Sequence, residues 1–316
     1  MSKKLLFFLI IPLFFLIWLS RWWWLICSRG AESGVVFCDV GQGDATLIVQ
    51  REWQMLVDGG PDSSVLRCLK RHMPAFDEVI DVVLLTHADS DHFAGLTSVL
   101  RHYQVKRLII NNVAKDSMDF WAFYEQVERE IDHDLMQVQF VNFGDNFCLT
   151  DQVCMKVVSD FKPVLAEDVF HNRKSAAQLW DIIAKFVPKS YNYNDGSIVI
   201  ILNFDGKNFI LTGDAEQPAE LAMLAGGLLT DVDVLKVGHH GSKSSTSDEF
   251  VRILRPESAV ISCGEGNSYG HPHPVTLETL ARYGVEVRRT DRQGEIFYEK
   301  TETGEWEWHE ELETPQ

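Results

Sequence analysis

Leu84-Leu85-Thr86-His87-Ala88-Asp89-Ser90-Asp91-His92-Phe93-Ala94-Gly95-Leu96 places two histidines and two aspartates within six residues, directly after the apolar run Val82-Val83-Leu84-Leu85. On an extended segment alternate side chains point the same way, so His87, Asp89 and Asp91 converge on one side. A helix starting next swings His92 toward them. A strand-to-helix loop built like this gathers ligands for a metal ion. Ser90 or Asp91 would also make a good helix N-cap. Capping accounts for one of these residues and leaves the others unexplained.

Working outward, the chain continues in the same rhythm. Val35–Cys38 and Ala45–Val49 read as strands joined by Asp39-Val40-Gly41-Gln42-Gly43-Asp44, either a close approach to a ligand or an ordinary hairpin connection. A strand at Gln54–Val57 ends in Asp58-Gly59-Gly60-Pro61, and a helix near Ser63–His72 leads into the opening motif. Downstream the pattern predicts a helix over Asp91–His102, a strand at Arg107–Ile110, a helix at Met118–Ile131, and strands at Val138–Val141 and Val153–Val158. Residues 160–192 break the rhythm and read as an insertion or lid. It returns with strands Ser197–Leu202 and Asn208–Leu211, closed by Thr212-Gly213-Asp214-Ala215-Glu216 and a helix to Ala225. Strand Val232–Val237 then leads to Gly238-His239-His240-Gly241-Ser242, and strand Ala259–Ser262 leads to Gly266–Pro274. Polar motifs stand mostly at the carboxyl ends of strands, in two comparable halves, which suggests two sheets sandwiched between helices.

The 316 residues are 46% hydrophobic and 24% charged, an ordinary globular composition that argues against disorder. The formal charge is -17; residues 1–28 contain Lys3, Lys4 and Arg21 and no acid, leaving 26 basic against 46 acidic residues. A field of that sign repels polyanions unless bound metal or a basic patch offsets it. Tight non-specific nucleic-acid binding is therefore disfavoured, whereas hydrolysis of a phosphodiester at a metal site is not. The six cysteines form no Cys-x-x-Cys pair, which argues against a structural zinc knot. Cys148 and Cys154 flank a turn at Thr150-Asp151 and would face each other across a hairpin, as a disulfide in an exported domain or as two buried thiols.

Lys3-Lys4 precede an apolar run from Leu5 to Leu19, and apolar character resumes at Trp22-Trp23-Trp24-Leu25-Ile26. Taken together this stretch approaches the ~20 residues that cross a bilayer. No small-x-small cleavage site precedes Ser28, and the tryptophans suit an interfacial belt. The expectation is an uncleaved signal anchor over 1–28, with lysines inside and the domain outside the cytoplasm. A cleaved signal peptide with a secreted domain is the alternative. One candidate span does not make a pore.

Together and in this order, His87-x-Asp89-x-Asp91-His92, Gly213-Asp214 and His239-His240-Gly241-Ser242 resemble the metallo-β-lactamase superfamily. Within it, Asp39–Ala45, the Asp89 variant, Asn194-x-x-Ser197 and Asn267-x-Tyr269-Gly270-His271-Pro272 resemble the hydrolase domain of ComEC-type DNA-uptake proteins, from about Gly34 to Gly294. The resemblance implies an α/β fold, a four-layer αββα sandwich over 34–310, with one or two metal ions at the sheet edge. By position, His87 and Asp89 would serve a first metal and Asp91 and His92 a second. Asp214 would bridge them, and His239 or His240, with His240 preferred, would complete the second. Imidazoles and carboxylates suit zinc, with manganese as the alternative. Many superfamily members have histidine in place of Asp89, and another histidine where this chain has Tyr193-Asn194, so the first metal is short of strong ligands.

Such a centre would make a water nucleophilic near neutral pH, with Asp91 or Asp214 orienting it. His271 would hold substrate or protonate the leaving group, unless it is a surface turn histidine. Asp58, Asp39 and Asp44 are expected to buttress the metal loop. Ser242-Lys243-Ser244-Ser245-Thr246-Ser247 would suit a phosphate at a helix start, or form a solvated loop. The expected function is a metal-dependent phosphodiesterase, a nuclease acting on DNA outside the cytoplasm. A lactam, lactone or thioester hydrolase of the same fold, and a non-catalytic membrane-anchored binding module, are the alternatives.

Overall fold

The computed structural model describes residues 33–111, 115, 117–159 and 192–310, with residues 18 and 21 besides. The signal anchor read over 1–28 and the lid read over 160–192 therefore lie outside the described residues, apart from Trp18, Arg21 and Asn192. Among the described residues no helix is long and apolar enough to cross a membrane.

In chain order the strands are β1 (Ser33–Phe37), β2 (Thr46–Gln50), β3 (Trp53–Val57), β4 (Val79–Ile80), β5 (Val82–Leu85), β6 (Gln104–Val105), β7 (Arg107–Ile110) and β8 (Gln137–Phe140). There follow β9 (Asn146–Cys148), β10 (Val153–Val157), β11 (Ile200–Phe204), β12 (Lys207–Leu211), β13 (Val234–Lys236), β14 (Ser258–Ile261), β15 (Glu286–Arg289), β16 (Ile296–Lys300) and β17 (Trp306–Glu310). One sheet runs β17-β16-β1-β2-β3-β5-β7-β8 and the other β15-β14-β13-β12-β11-β10-β9, while β4 and β6 pair separately.

The central strands of both sheets are apolar on both faces, as strands covered on both sides must be. Alternation sorts their side chains into three layers of core. Val35 and Phe37 of β1, Val82 and Leu84 of β5, and Ile200, Leu202 and Phe204 of β11 meet between the sheets. Val36, Val83 and Leu85 point the other way, onto Leu69, Leu96, Val99, Phe120 and Phe123. Those residues belong to helices Val65–His72, Leu96–His102 and Met118–Asp132. On the far side Ile201, Ile210 and Leu235 pack against Ala219, Met223, Phe250, Leu254 and Leu280. Their helices are Gln217–Gly226, Asp248–Leu254 and Pro274–Arg282. Helix, sheet, sheet, helix is the expected αββα order.

Three details go beyond the sequence reading or choose between its alternatives. The two halves are not separate, because β16 pairs antiparallel with β1, so the last described strands complete the first sheet. The helix expected over Asp91–His102 is two helices, Ser90–Phe93 and Leu96–His102. Its N-cap is Asp89, whose side chain makes no capping bond, so neither Ser90 nor Asp91 caps it. The break falls at Gly95, which lies so close to the Asp58 turn that a Cβ there would sit 1.9 Å from the Gly59 carbonyl oxygen. Cys148 and Cys154 form a disulfide, and so do Cys38 and Cys68, a pairing the sequence alone did not indicate.

Strands β3, β5, β7 and β8 run parallel to one another, as do β12, β13, β14 and β15. Parallel strands share a carboxyl edge, which is where ligands of open α/β sheets bind. Asp58, His87, Asp214 and His239-His240 follow β3, β5, β12 and β13 and arrive together along that edge.

Candidate metal centre

Asp58 builds the first wall. It adopts a left-handed backbone with φ of 59°, and its carboxylate is buried. Its Oδ1 accepts the Thr86 N–H at 2.8 Å, and its Oδ2 accepts the Thr86 hydroxyl, also at 2.8 Å. The same Oδ2 lies 2.8 Å from His92 Nδ1. Because the Thr86 hydroxyl proton goes to Asp58, its oxygen can only accept from His87 Nδ1, 3.1 Å away. Both rings thus carry their proton on Nδ1 and turn Nε2 inward.

The second sheet supplies the opposite wall by the same device. His239 and His240 both have left-handed backbone, with φ of 48° and 52°, a costly arrangement for non-glycine residues that aims both rings back at the sheet edge. His240 Nδ1 donates to the Ser262 carbonyl at 3.0 Å, and His239 Nδ1 lies 2.9 Å from Glu216 Oε1. Partners on the outer nitrogen fix the tautomer and leave Nε2 as a ligand.

Asp214 stands in the middle. Its Oδ1 is 3.2 Å from His92 Nε2, and its Oδ2 is 3.7 Å from His240 Nε2, 3.9 Å from His239 Nε2 and 4.0 Å from His87 Nε2. Asp91 reaches His240 Nε2 at 3.3 Å from the open side, and Asp89 Oδ2 is 4.0 Å from His87 Nε2. Buried His87 Nε2 has no hydrogen-bond partner among the described residues, and His92 Nε2 and Asp214 Oδ1 have none there but each other. Asp44, His92, Asp214 and His240 offer four ligand atoms within 4.8 Å of one another. Orphaned inward-facing donors of this kind fit a divalent cation.

The charges agree. Burial alone would depress His92 and His240, but the Asp214 carboxylate outweighs it, holding His240 above the ordinary imidazole range and His92 well above it. Burial would raise Asp214, yet His92 and His240 hold it well below the usual carboxylate range. Burial and then the neighbouring His92 lower His87. For Asp91 burial opposes and the His240 hydrogen bond wins, bringing the carboxyl down to about 2. A divalent cation entering such a cluster takes the place of its protons.

All seven residues proposed as ligands from the sequence lie around this point, although Asp89 is also bound by Lys115 Nζ at 2.5 Å. His271 lies at the rim, its ring 5.5 Å from that of His239 and 6.3 Å from that of His240. Burial and then His239 push His271 down to about 4. Asp44, read as a buttress, reaches the ligand cluster while its Oδ2 accepts from buried Lys236 Nζ at 2.8 Å. Sequence reasoning missed Lys236, although a lysine inside the apolar run Val232–Val237 was the available signal. It also missed Asn111, whose Nδ2 donates to the Thr86 and Gly196 carbonyls and ties the two sheets together beneath the site. The Ser242–Ser247 stretch already holds an anionic side chain just before its helix start. The buried Glu220 carboxylate already accepts the Thr246 and Ser247 N–H groups, and Ser245 Oγ donates to the Gly238 carbonyl.

Residues 38–265 match the family described as the metallo-beta-lactamase superfamily. The chain is 30% identical over 287 residues to ComE operon protein 3 of Bacillus subtilis, covering 85% of this chain and 33% of that one. It is 31% identical over 270 residues to Recombination protein 2 of Haemophilus influenzae, covering 82% of this chain and 28% of the other. The chain thus spans about a third of the length of these relatives. The metallo-β-lactamase-fold protein YhfI from Bacillus subtilis superposes with a TM-score of 0.53 at 13% identity, covering 85% of this chain and 99% of that one, a likeness of fold. The family match spans both walls of the histidine and aspartate cluster, and the chain belongs to the metallo-β-lactamase superfamily, as a hydrolase of that fold resembling the corresponding domain of ComEC-type competence proteins.

Proposed function

We propose that the chain is a metal-dependent phosphodiesterase that cleaves DNA outside the cytoplasm. The observation that carries the chemistry is the set of four imidazoles whose outer nitrogens are all engaged and whose Nε2 atoms surround Asp214. His87, His92, His239, His240, Asp214, Asp89 and Asp91 would hold one or two zinc ions, with manganese as the alternative. Bound there, the metal would polarise a phosphoryl oxygen and bring a water toward ionisation at neutral pH.

The protein's own groups do the rest. Asp91 keeps a depressed, ionised carboxylate at the open side of the cluster, placed to orient the attacking water by accepting its hydrogen bond. Asp58 and Ser262 hold His92 and His240 in register, so that no ring has to turn during the reaction. His271, at the rim, would hold the leaving-group oxygen. The preference for DNA rests on relatives whose names refer to the ComE operon, recombination and competence. The location rests on the apolar stretch within residues 5–26 and on two disulfides, which persist in oxidising compartments.

The test uses the full chain in detergent, with metal content determined first. Loaded with Mn²⁺ or Zn²⁺, it should cleave bis-p-nitrophenyl phosphate and DNA, and Asp91→Ala combined with His92→Ala should abolish both. Turnover of a chromogenic cephalosporin or a lactone without phosphodiester cleavage would replace this reading with acyl hydrolysis. Tight metal binding without any turnover would replace it with a binding module.

A further inference from the structure

The loop Asn267–His271 carries an aromatic ring that nothing in the metal centre uses. Tyr269 is 70% exposed. One face of its ring stacks on His271, with centroids 5.8 Å apart and planes inclined by 26°. His271 in turn touches the His239 and His240 rings, so Tyr269 stands one ring beyond the cluster.

The loop that carries the ring is held in place. Asn267 Nδ2 donates to the Gly264 and His271 carbonyls at 2.9 and 2.7 Å, and its Oδ1 accepts the His271 N–H at 3.0 Å. The next residues fasten this loop to the histidine turn, since His273 N donates to the Gly241 carbonyl at 2.8 Å. Pro272 also packs so closely on Gly241 that a Cβ there would lie 2.6 Å from the proline Cβ. A large, rigid, exposed aromatic beside a reaction centre costs little entropy to use on binding.

We propose that Tyr269 and His271 form a nucleobase-stacking subsite that receives an unpaired base next to the scissile phosphodiester. The substrate class would then be single-stranded nucleic acid. This rests on the phosphodiesterase reading and adds how the substrate is gripped. The chain carries a net charge of -17, so away from the metal centre attraction for the phosphate backbone supplies little affinity. Stacking on an aromatic face needs no positive charge and tolerates any base. A base inside a duplex has both faces covered by its neighbours, whereas an unpaired base can offer one face to Tyr269.

The test compares the full, metal-loaded chain with Tyr269→Ala and Tyr269→Phe. For a single-stranded oligodeoxynucleotide, Tyr269→Ala should raise KM about tenfold, with kcat moving less, and Tyr269→Phe should stay near the parent. The parent should prefer that oligonucleotide to one with abasic sites throughout, and Tyr269→Ala should lose the preference. Equal KM values for parent and Tyr269→Ala would overturn the subsite and leave the phosphodiesterase reading standing. Binding is read separately with a single-stranded oligonucleotide containing 2-aminopurine, in an Asp91→Ala background that blocks turnover. Fluorescence quenching that Tyr269→Ala removes supports the subsite even if the parent cleaves no phosphodiester. Quenching that survives in Tyr269→Ala overturns it.

Discussion

Lys236 occupies the end of a buried strand with Val234 and Leu235, where a lysine has no ordinary place. Its ammonium is held by Asp44 Oδ2 and the Val237 carbonyl, and both side chains are buried. Removing one member of such a pair leaves an uncompensated charge in the core, a loss of about 3–5 kcal/mol. Lys236→Met should therefore lower the unfolding free energy by that order in a denaturant titration. Adding Asp44→Asn should recover most of the loss. Asp58 gives a second prediction at this scale. Asp58→Asn keeps the shape but weakens the grip on His92 Nδ1 and on Thr86. Metal affinity measured against a competing chelator should fall about 10- to 100-fold, as expected when an outer partner of a ligating histidine is changed.

Among elements, the Asp58-Gly59-Gly60 turn and the Ser90–Leu96 segment behave as one part. Gly59 N donates to the His92 carbonyl at 2.6 Å and Gly95 N to the Gly60 carbonyl at 2.9 Å. Gly95→Ala drives a methyl into the Gly59 carbonyl. It should lower both the melting temperature and the metal content of the purified protein. Glu295, immediately before β16, ties that strand to helix Val65–His72 by accepting from Arg71 at 2.9 Å and His72 at 2.8 Å. Burial would raise its pKa, but His72 and then Arg71 outweigh this and hold it below the ordinary glutamate value. In the interval between the lowered folded pKa and the ordinary unfolded one, the unfolded chain binds more protons. The stabilisation is therefore complete above about pH 5 and lost as pH falls through the folded value. Glu295→Gln should flatten that acid limb of a stability–pH curve.

For the whole molecule, the αββα layering was legible because runs such as Val82–Leu85 are apolar on both faces and end in polar motifs. The ligand-bearing loops were legible because metal chemistry confines the choice of residue. What escaped were relations between distant parts. Lys236 meets Asp44, Asn111 meets Gly196 and Cys38 meets Cys68 only after the sheets have stacked. The paired helices around Gly95 escaped because the break is imposed by another loop rather than by local propensity. The Cys38–Cys68 bond bridges a separation of 30 residues. The double replacement Cys38→Ser with Cys68→Ser should cost about 2–5 kcal/mol in denaturant unfolding. The pairing of β1 with β16, from Ser33 opposite Lys300 to Phe37 opposite Ile296, carries a different consequence. During synthesis β1 emerges early and its partner very late, so one edge of β1 waits unpaired while almost the whole domain is made. Until β16 arrives, that edge can recruit a strand from another molecule. A nascent chain of this protein is thus most exposed to aggregation just before its last strands are delivered.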